Sequence, residues 1–119
     1  MGSLIQNTIF GRRKNKVFVS TWKTDNLSTG SSANNQIKLP LESYGSYAFT
    51  VYWGDGTSNF ISSWNQTETT HTYSTIGTYQ ITILGKCKGW MFNNAGDRLK
   101  FLSVETWGIL NLGNSGNYF

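Results

Sequence analysis

His71 is the only histidine and Cys87 the only cysteine of the 119-residue sequence. A hydrolytic triad would need a nucleophile and an acid converging on His71, and the spacing of the sequence points to neither. Zinc sites take three or four His, Cys or carboxylate ligands, which one His and one Cys do not furnish. Lys86 and Lys88 flank Cys87 and could lower the pKa of its thiol, but its place in the chain favours an ordinary strand residue.

The six carboxylates are scattered along the chain. Calcium sites need several oxygen ligands at close spacing, whereas the loops that hold Asp25, Asp55 and Asp97 present one carboxylate each. Because the carboxylates are scattered along the chain, the sequence does not indicate the pair of catalytic carboxylates that a glycosidase uses. Gly54-Asp55-Gly56 opens a strand and not a helix, so it does not fit a phosphate-binding loop. We therefore predict a protein that is not an enzyme and binds no metal or cofactor.

The positive charge of the sequence is concentrated at its beginning. The formal net charge is +4, from ten Lys and Arg against six Asp and Glu. Residues 1–16 hold four of the basic residues and no acid, so six basic and six acidic residues remain in 17–119. A basic arm on a neutral body is typical of a tail that binds an acidic partner. The residues of the arm predicted to contact that partner are Leu4, Ile5, Ile9, Phe10, Arg12, Arg13, Lys14 and Lys16.

A solvated tail is the alternative reading of the arm. Nucleic acid is a weaker partner, because four charges on one tail give little affinity at physiological salt. The apolar residues of the arm are interrupted by residues 6–8, and the basic run follows them, so no secretory signal pattern is visible. No apolar run is long enough to span a bilayer. We expect a protein made in the cytoplasm, with no membrane contact and no internal disulfide.

Aromatic residues make up 15% of the sequence, including five Trp. This is more ring surface than one thin domain must bury, and exposed rings can stack on sugars or fill pockets of a protein partner. The alternative is that the rings close the ends of the domain. The candidate ligand-binding aromatics are Trp64, Trp90, Trp107, Tyr118 and Phe119.

Alternating apolar and polar residues, with turn signals every eight to twelve positions, predict an all-β chain. Short strands at this spacing favour an antiparallel, immunoglobulin-like β-sandwich over residues 17–119, preceded by a short extended arm over 1–16. The predicted strands are 17–23, 36–41, 47–53, 57–63, 70–73, 77–84, 89–92, 100–106 and 108–112.

Three sequence blocks have structural roles that their chemistry explains. Gly54 and Gly56 relieve the backbone constraint of the turn at Asp55, whose carboxylate can bond within the turn or to the segment around His71. Tyr73 is expected to bury its ring with the hydroxyl satisfied at a corner of the sandwich. The residues of the blocks are Trp53, Gly54, Asp55, Gly56, His71, Tyr73, Gly77 and Tyr79, with Trp53 as the expected central core ring.

In these blocks the chain resembles the polycystic-kidney-disease (PKD) domain, whose pattern is WGDG, then HxY, then GxYxVxV. The resemblance implies an immunoglobulin-like sandwich that contacts proteins or carbohydrate and performs no chemistry. Residues 18–119 also look like the module that precedes the leucine-rich repeats of BspA-like surface proteins. Those repeats are absent from this sequence, so an adhesin function does not carry over directly.

These features predict a non-catalytic accessory protein of a larger assembly. The favoured setting is a virion, as a capsid-decoration or fibre-base protein docked through its arm on capsid or other assembly subunits, itself included. The alternative is a cell-surface adhesion or carbohydrate-binding module derived from a BspA-like secreted protein.

Overall fold

Side-chain burial alternates along the strands with the two-residue period of a β-strand. The computed structural model describes residues 17–108, 110 and 111, which form an all-β, antiparallel β-sandwich. The predicted arm over residues 1–16 lies outside the described residues. A 3-10 turn spans Thr67–Thr69. The strands are β1 (Val17–Lys23), β2 (Gln36–Lys38), β3 (Ser46–Tyr52), β4 (Ser58–Ile61), β5 (Thr70–Thr72), β6 (Thr78–Lys88), β7 (Phe101–Thr106) and β8 (Leu110–Asn111).

One layer of the sandwich is a large sheet in the order β4-β3-β6-β1-β7, with β8 beside β6. All neighbours in that order are antiparallel, and β8 joins the last two residues of β6 in parallel. The opposing layer contains the short antiparallel pair β2-β5. The predicted bounds of β1, residues 17–23, are confirmed.

The core lies on the inner face of the large sheet. In β1, Phe18, Ser20 and Trp22 are buried, and the residues between them are half-buried. Burial of a large apolar side chain such as Phe18 contributes roughly 1.5–3 kcal/mol to the free energy of unfolding. Trp53, the predicted central ring, is fully buried. The rings also pack edge to face, with centroids 5.0 Å apart for Phe18 and Trp90.

The predicted strand over residues 89–92 is wrong. β6 runs on to Lys88 instead of ending at residue 84, because residues 85–88 continue to pair with β3. Gly89 and Met91 then donate their backbone N–H groups to the carbonyls of Asn111 and Pro40. These bonds go to different parts of the chain, and residues 89–92 form no strand. Within the described part of the chain, no helix is long and apolar enough to cross a membrane.

Candidate functional site

The structure brings the three motif blocks together at one end of the sandwich. The ring of Trp53 stacks on that of His71, with centroids 4.7 Å apart and planes 8° from parallel. Tyr73 stacks on Tyr79 at 4.0 Å, and its hydroxyl donates to the Trp53 carbonyl at 2.8 Å. Burial raises the pKa of Tyr73, so the hydroxyl remains a donor. The predicted burial of Trp53 and Tyr73 is confirmed.

The turn between β3 and β4 depends on its glycines. Gly54 and Gly56 adopt φ angles of +89° and +91°, which glycine alone enters without strain. A Cβ at Gly54 would also lie 2.5 Å from the carbonyl oxygen of Gln80.

At the third block, Gly77 and Thr24 exchange two hydrogen bonds of 2.9 and 3.0 Å.

Asp55 joins this turn to β5. Its Oδ1 accepts the backbone N–H of Thr57 at 3.1 Å and the Thr57 hydroxyl at 2.5 Å, while its Oδ2 lies 2.8 Å from Nε2 of His71. Burial would raise the pKa of Asp55, but the hydrogen bonds from His71 and Thr57 outweigh it and hold the pKa below its usual value. A carboxylate only accepts, so Nε2 carries the proton of this bond.

This arrangement does not supply a nucleophile. The Thr57 hydroxyl lies 3.3 Å from Nε2 of His71 but donates to Asp55, and Nε2 is itself a donor there. The nitrogen that would have to accept the Thr57 proton is therefore occupied. Across residues 17–108, 110 and 111 there is no group of three His, Cys, Asp or Glu that could hold a metal ion. The contacts give Asp55 and His71 a structural role.

Cys87 points into the core. Its side chain is 1% exposed, and burial raises the pKa of the thiol to about 12. The neighbouring lysines therefore do not activate it, and the strand-residue interpretation is confirmed.

A buried ionic network was not predicted from the sequence. Lys100 is fully buried, and its ammonium donates to the carbonyls of Ser32, Ala33 and Gln36 at 2.6 to 3.1 Å. Asp97, 2% exposed, lies 3.9 Å from the ammonium. Its oxygens accept the N–H and hydroxyl of Ser32 and the N–H of Lys38.

Burial lowers the pKa of Lys100, and the Asp97 carboxylate opposes that shift. The network ties the loop before β2 to the turn before β7 and uses both oxygens of Asp97, the carboxylate considered above for calcium. In the sequence, Asp97 and Lys100 are an acid and a base three residues apart. Such a pair is common on protein surfaces, so the sequence did not indicate that both side chains are buried.

The candidate ligand-binding aromatics fall into different environments. Trp64 is 45% exposed and Trp107 is 53% exposed, but Trp90 is fully buried, so its prediction as an exposed binding ring is wrong. Trp90 closes the core against Phe18, Trp22 and other rings, which is the alternative role considered above. Its Nε1 finds no hydrogen-bond partner among the described residues.

Other candidate residues lie outside the described residues. They are Leu4, Ile5, Ile9, Phe10, Arg12, Arg13, Lys14 and Lys16 of the arm, together with Tyr118 and Phe119.

The outer face of the large sheet is an uncovered apolar surface within the described residues. Phe60, Thr50, Leu84 and Val17 are in cross-strand register from β4 to β1. Phe60 is 58% exposed and Leu84 36% exposed, and Tyr52 on the same face is 45% exposed. We call this surface the outer face.

Trp64 borders a groove of about 370 Å³, which we call the Trp64 groove. Its apolar lining includes Leu39 and Leu41, and its polar lining includes Lys38, Asn65 and Thr67. A second groove of about 350 Å³ shares Lys38, Leu39 and Leu41 with the first. The two grooves therefore flank the same stretch of chain at and after β2.

No family model, curated protein or solved structure matches this chain.

Proposed function

We propose that this protein is a non-catalytic module of a larger assembly, an accessory protein of a virion, that docks on an acidic protein subunit. Docking would use the arm of residues 1–16 together with the outer face. The PKD-like interpretation of the motif blocks belongs to this proposal, since sandwiches of that kind act through contacts. The observation that carries it is the distribution of apolar and charged residues over the outer face.

The centre of the outer face has the composition of a protein interface. Tyr52, Phe60 and Leu84 are exposed there beside Thr50 and Thr82, and none of these residues is charged. Contiguous exposed apolar surface marks interaction sites, and aromatic residues are enriched in the buried centre of interfaces while charged ones are depleted.

One end of the outer face is basic, which favours an acidic partner. Lys86 and Lys88 follow Leu84 on the outer side of β6, and both are exposed. Val17 pairs with Leu84, so the basic arm of residues 1–16 is covalently attached to the sheet at this part of β1. Positive charge at the border of an apolar surface speeds encounter with an acidic surface and sets orientation.

Three groups that could be considered for chemistry are engaged within the fold. The Asp55–His71 pair is used within the fold, Cys87 is buried, and the Asp97–Lys100 network is internal.

Co-sedimentation tests the proposal. The full chain is mixed with particles purified from the source that carries its gene, at roughly 0.15 M salt, and the bound fraction is compared among variants. One variant replaces Arg12, Arg13, Lys14 and Lys16 by Gln, a second is Phe60→Ser, and the control is Ile76→Ser, an exposed residue of the turn before β6.

We expect the parent and the control to sediment with the particles and the other two to lose about tenfold or more in affinity. A parent chain that stays in the supernatant would overturn the proposal. Unchanged binding of both the arm and the Phe60 variants would also overturn it.

A further inference from the structure

Trp64 is an exposed ring on a rigid support. The Gln66 side chain accepts the N–H of Ser62 at 2.9 Å and donates to the carbonyl of Phe60 at 2.7 Å. The backbone carbonyl of Gln66 accepts both the N–H and the hydroxyl of Thr69. The loop that holds Trp64 is thus fixed on both sides. A ligand that stacks on the ring therefore binds with little entropy cost for ordering the loop.

Four main-chain groups at the strand edges near Trp64 are already hydrogen-bonded. β4 is an edge strand of the large sheet. There the Gln66 side chain donates to the carbonyl of Phe60 and accepts the N–H of Ser62. At β2, the Asp97 carboxylate accepts the N–H of Lys38, and the Lys100 ammonium donates to the carbonyl of Gln36. Peptides commonly bind beside a sheet by adding a strand to a free edge, and these contacts disfavour that mode.

What the Trp64 groove presents instead are side chains that suit a sugar. The indole offers a flat apolar face, and Asn65, Thr67 and Thr70 offer amide and hydroxyl groups. The Asn65 oxygen already accepts the Ser63 hydroxyl at 2.8 Å, which leaves its NH₂ group as the donor. An aromatic face beside a few fixed polar groups matches the apolar face and hydroxyl rim of a pyranose.

Lys38 gives the groove its charge. Its side chain is exposed, it lines both grooves, and no carboxylate of the described residues is paired with it. Among the residues that the structure describes, Asp97 is the only acid that lines either groove, and its oxygens accept the backbone N–H groups of Ser32 and Lys38. The exposed part of the grooves therefore favours an anionic ligand.

We infer that the Trp64 groove binds an oligosaccharide with a carboxylated sugar, stacked on Trp64 with its carboxylate near Lys38. The volume of about 370 Å³ is at the lower end of ligand pockets. The site belongs to β2 and the loop after β4, so it does not depend on docking through the arm or the outer face.

Titration of the ¹⁵N-labelled full chain tests this inference. The acidic probes are tetragalacturonate, a hyaluronan tetrasaccharide and sialyllactose, and cellotetraose is the neutral probe. Tetraglutamate carries the charges of tetragalacturonate without sugar rings. The variants are Trp64→Ala, Trp64→Phe and Lys38→Gln, with Trp107→Ala as the control on the other exposed Trp.

We expect saturable shifts at residues of the Trp64 groove with at least one acidic oligosaccharide, at a Kd of roughly 1 mM or tighter. Trp64→Ala should abolish them, Trp64→Phe should retain part of the affinity, and Trp107→Ala should change nothing. Lys38→Gln should remove the preference over cellotetraose. The inference is overturned if no oligosaccharide binds, if Trp64→Ala binds as the parent does, or if tetraglutamate binds equally well.

Discussion

The Oδ2 of Asp55 lies 2.8 Å from the Nε2 of His71, sixteen residues further along the chain. Asp55 belongs to the turn that leaves β3 of the large sheet, and His71 lies in β5 of the opposing layer. The contact therefore fastens the two layers to each other, beside the stacked rings of Trp53 and His71.

Asp55→Asn should reduce the free energy of unfolding by about 1–2 kcal/mol at neutral pH. The folded state holds the pKa of Asp55 below its usual value, so between the folded and unfolded pKa values the unfolded chain binds more protons and stability rises with pH. The contribution is complete above about pH 5 and declines below about pH 4. Urea unfolding from pH 7 to pH 3 measures it. A deficit of the variant that did not shrink in acid would contradict this role.

Tyr73→Phe should cost about 1–2 kcal/mol, because it removes the hydroxyl that donates to the Trp53 carbonyl and leaves a buried acceptor. Tyr52→Phe is the matched control, since the Tyr52 side chain is 45% exposed on the outer face. It should change stability by no more than about 0.5 kcal/mol. Equal effects of the two substitutions in denaturant unfolding would contradict the assignment.

Lys100→Met should destabilise the protein by about 3–5 kcal/mol, because Asp97 would stay buried without its counter-charge. Lys23→Met provides the comparison, since Lys23 pairs with Asp25 at 2.7 Å where both side chains are exposed. It should cost less than about 1 kcal/mol. Chemical unfolding of both variants measures the loss in the free energy of unfolding. A loss for Lys100→Met as small as that for Lys23→Met would rule out a buried network.

The sequence predicted what depends on local pattern. Alternation correctly assigned Val17–Lys23 to a strand, and the chemistry of Asp55 and Tyr73 anticipated their hydrogen bonds. These features follow from strand period and turn geometry, which a few neighbouring residues determine.

Features that depend on distant contacts were missed. Trp90 lies just after the end of β6, outside any strand, so periodicity could not show that its ring is buried. Lys100 binds carbonyls 64 to 68 residues away in sequence. The Trp64 groove likewise exists only because β2 packs beside the loop after β4.

Lysine reactivity within the assembled particle tests the proposed docking most directly. The particle-bound chain and the free chain are acetylated for a short time, and each lysine is quantified by mass spectrometry. Lys86 and Lys88 border the proposed docking surface, Lys38 is exposed in the Trp64 groove, and buried Lys100 reports that the fold is intact.

We predict that Lys86 and Lys88 lose most of their reactivity in the particle, while Lys38 keeps its own and Lys100 stays unreactive in both states. Unchanged reactivity of Lys86 and Lys88 in the bound chain would contradict docking through the outer face.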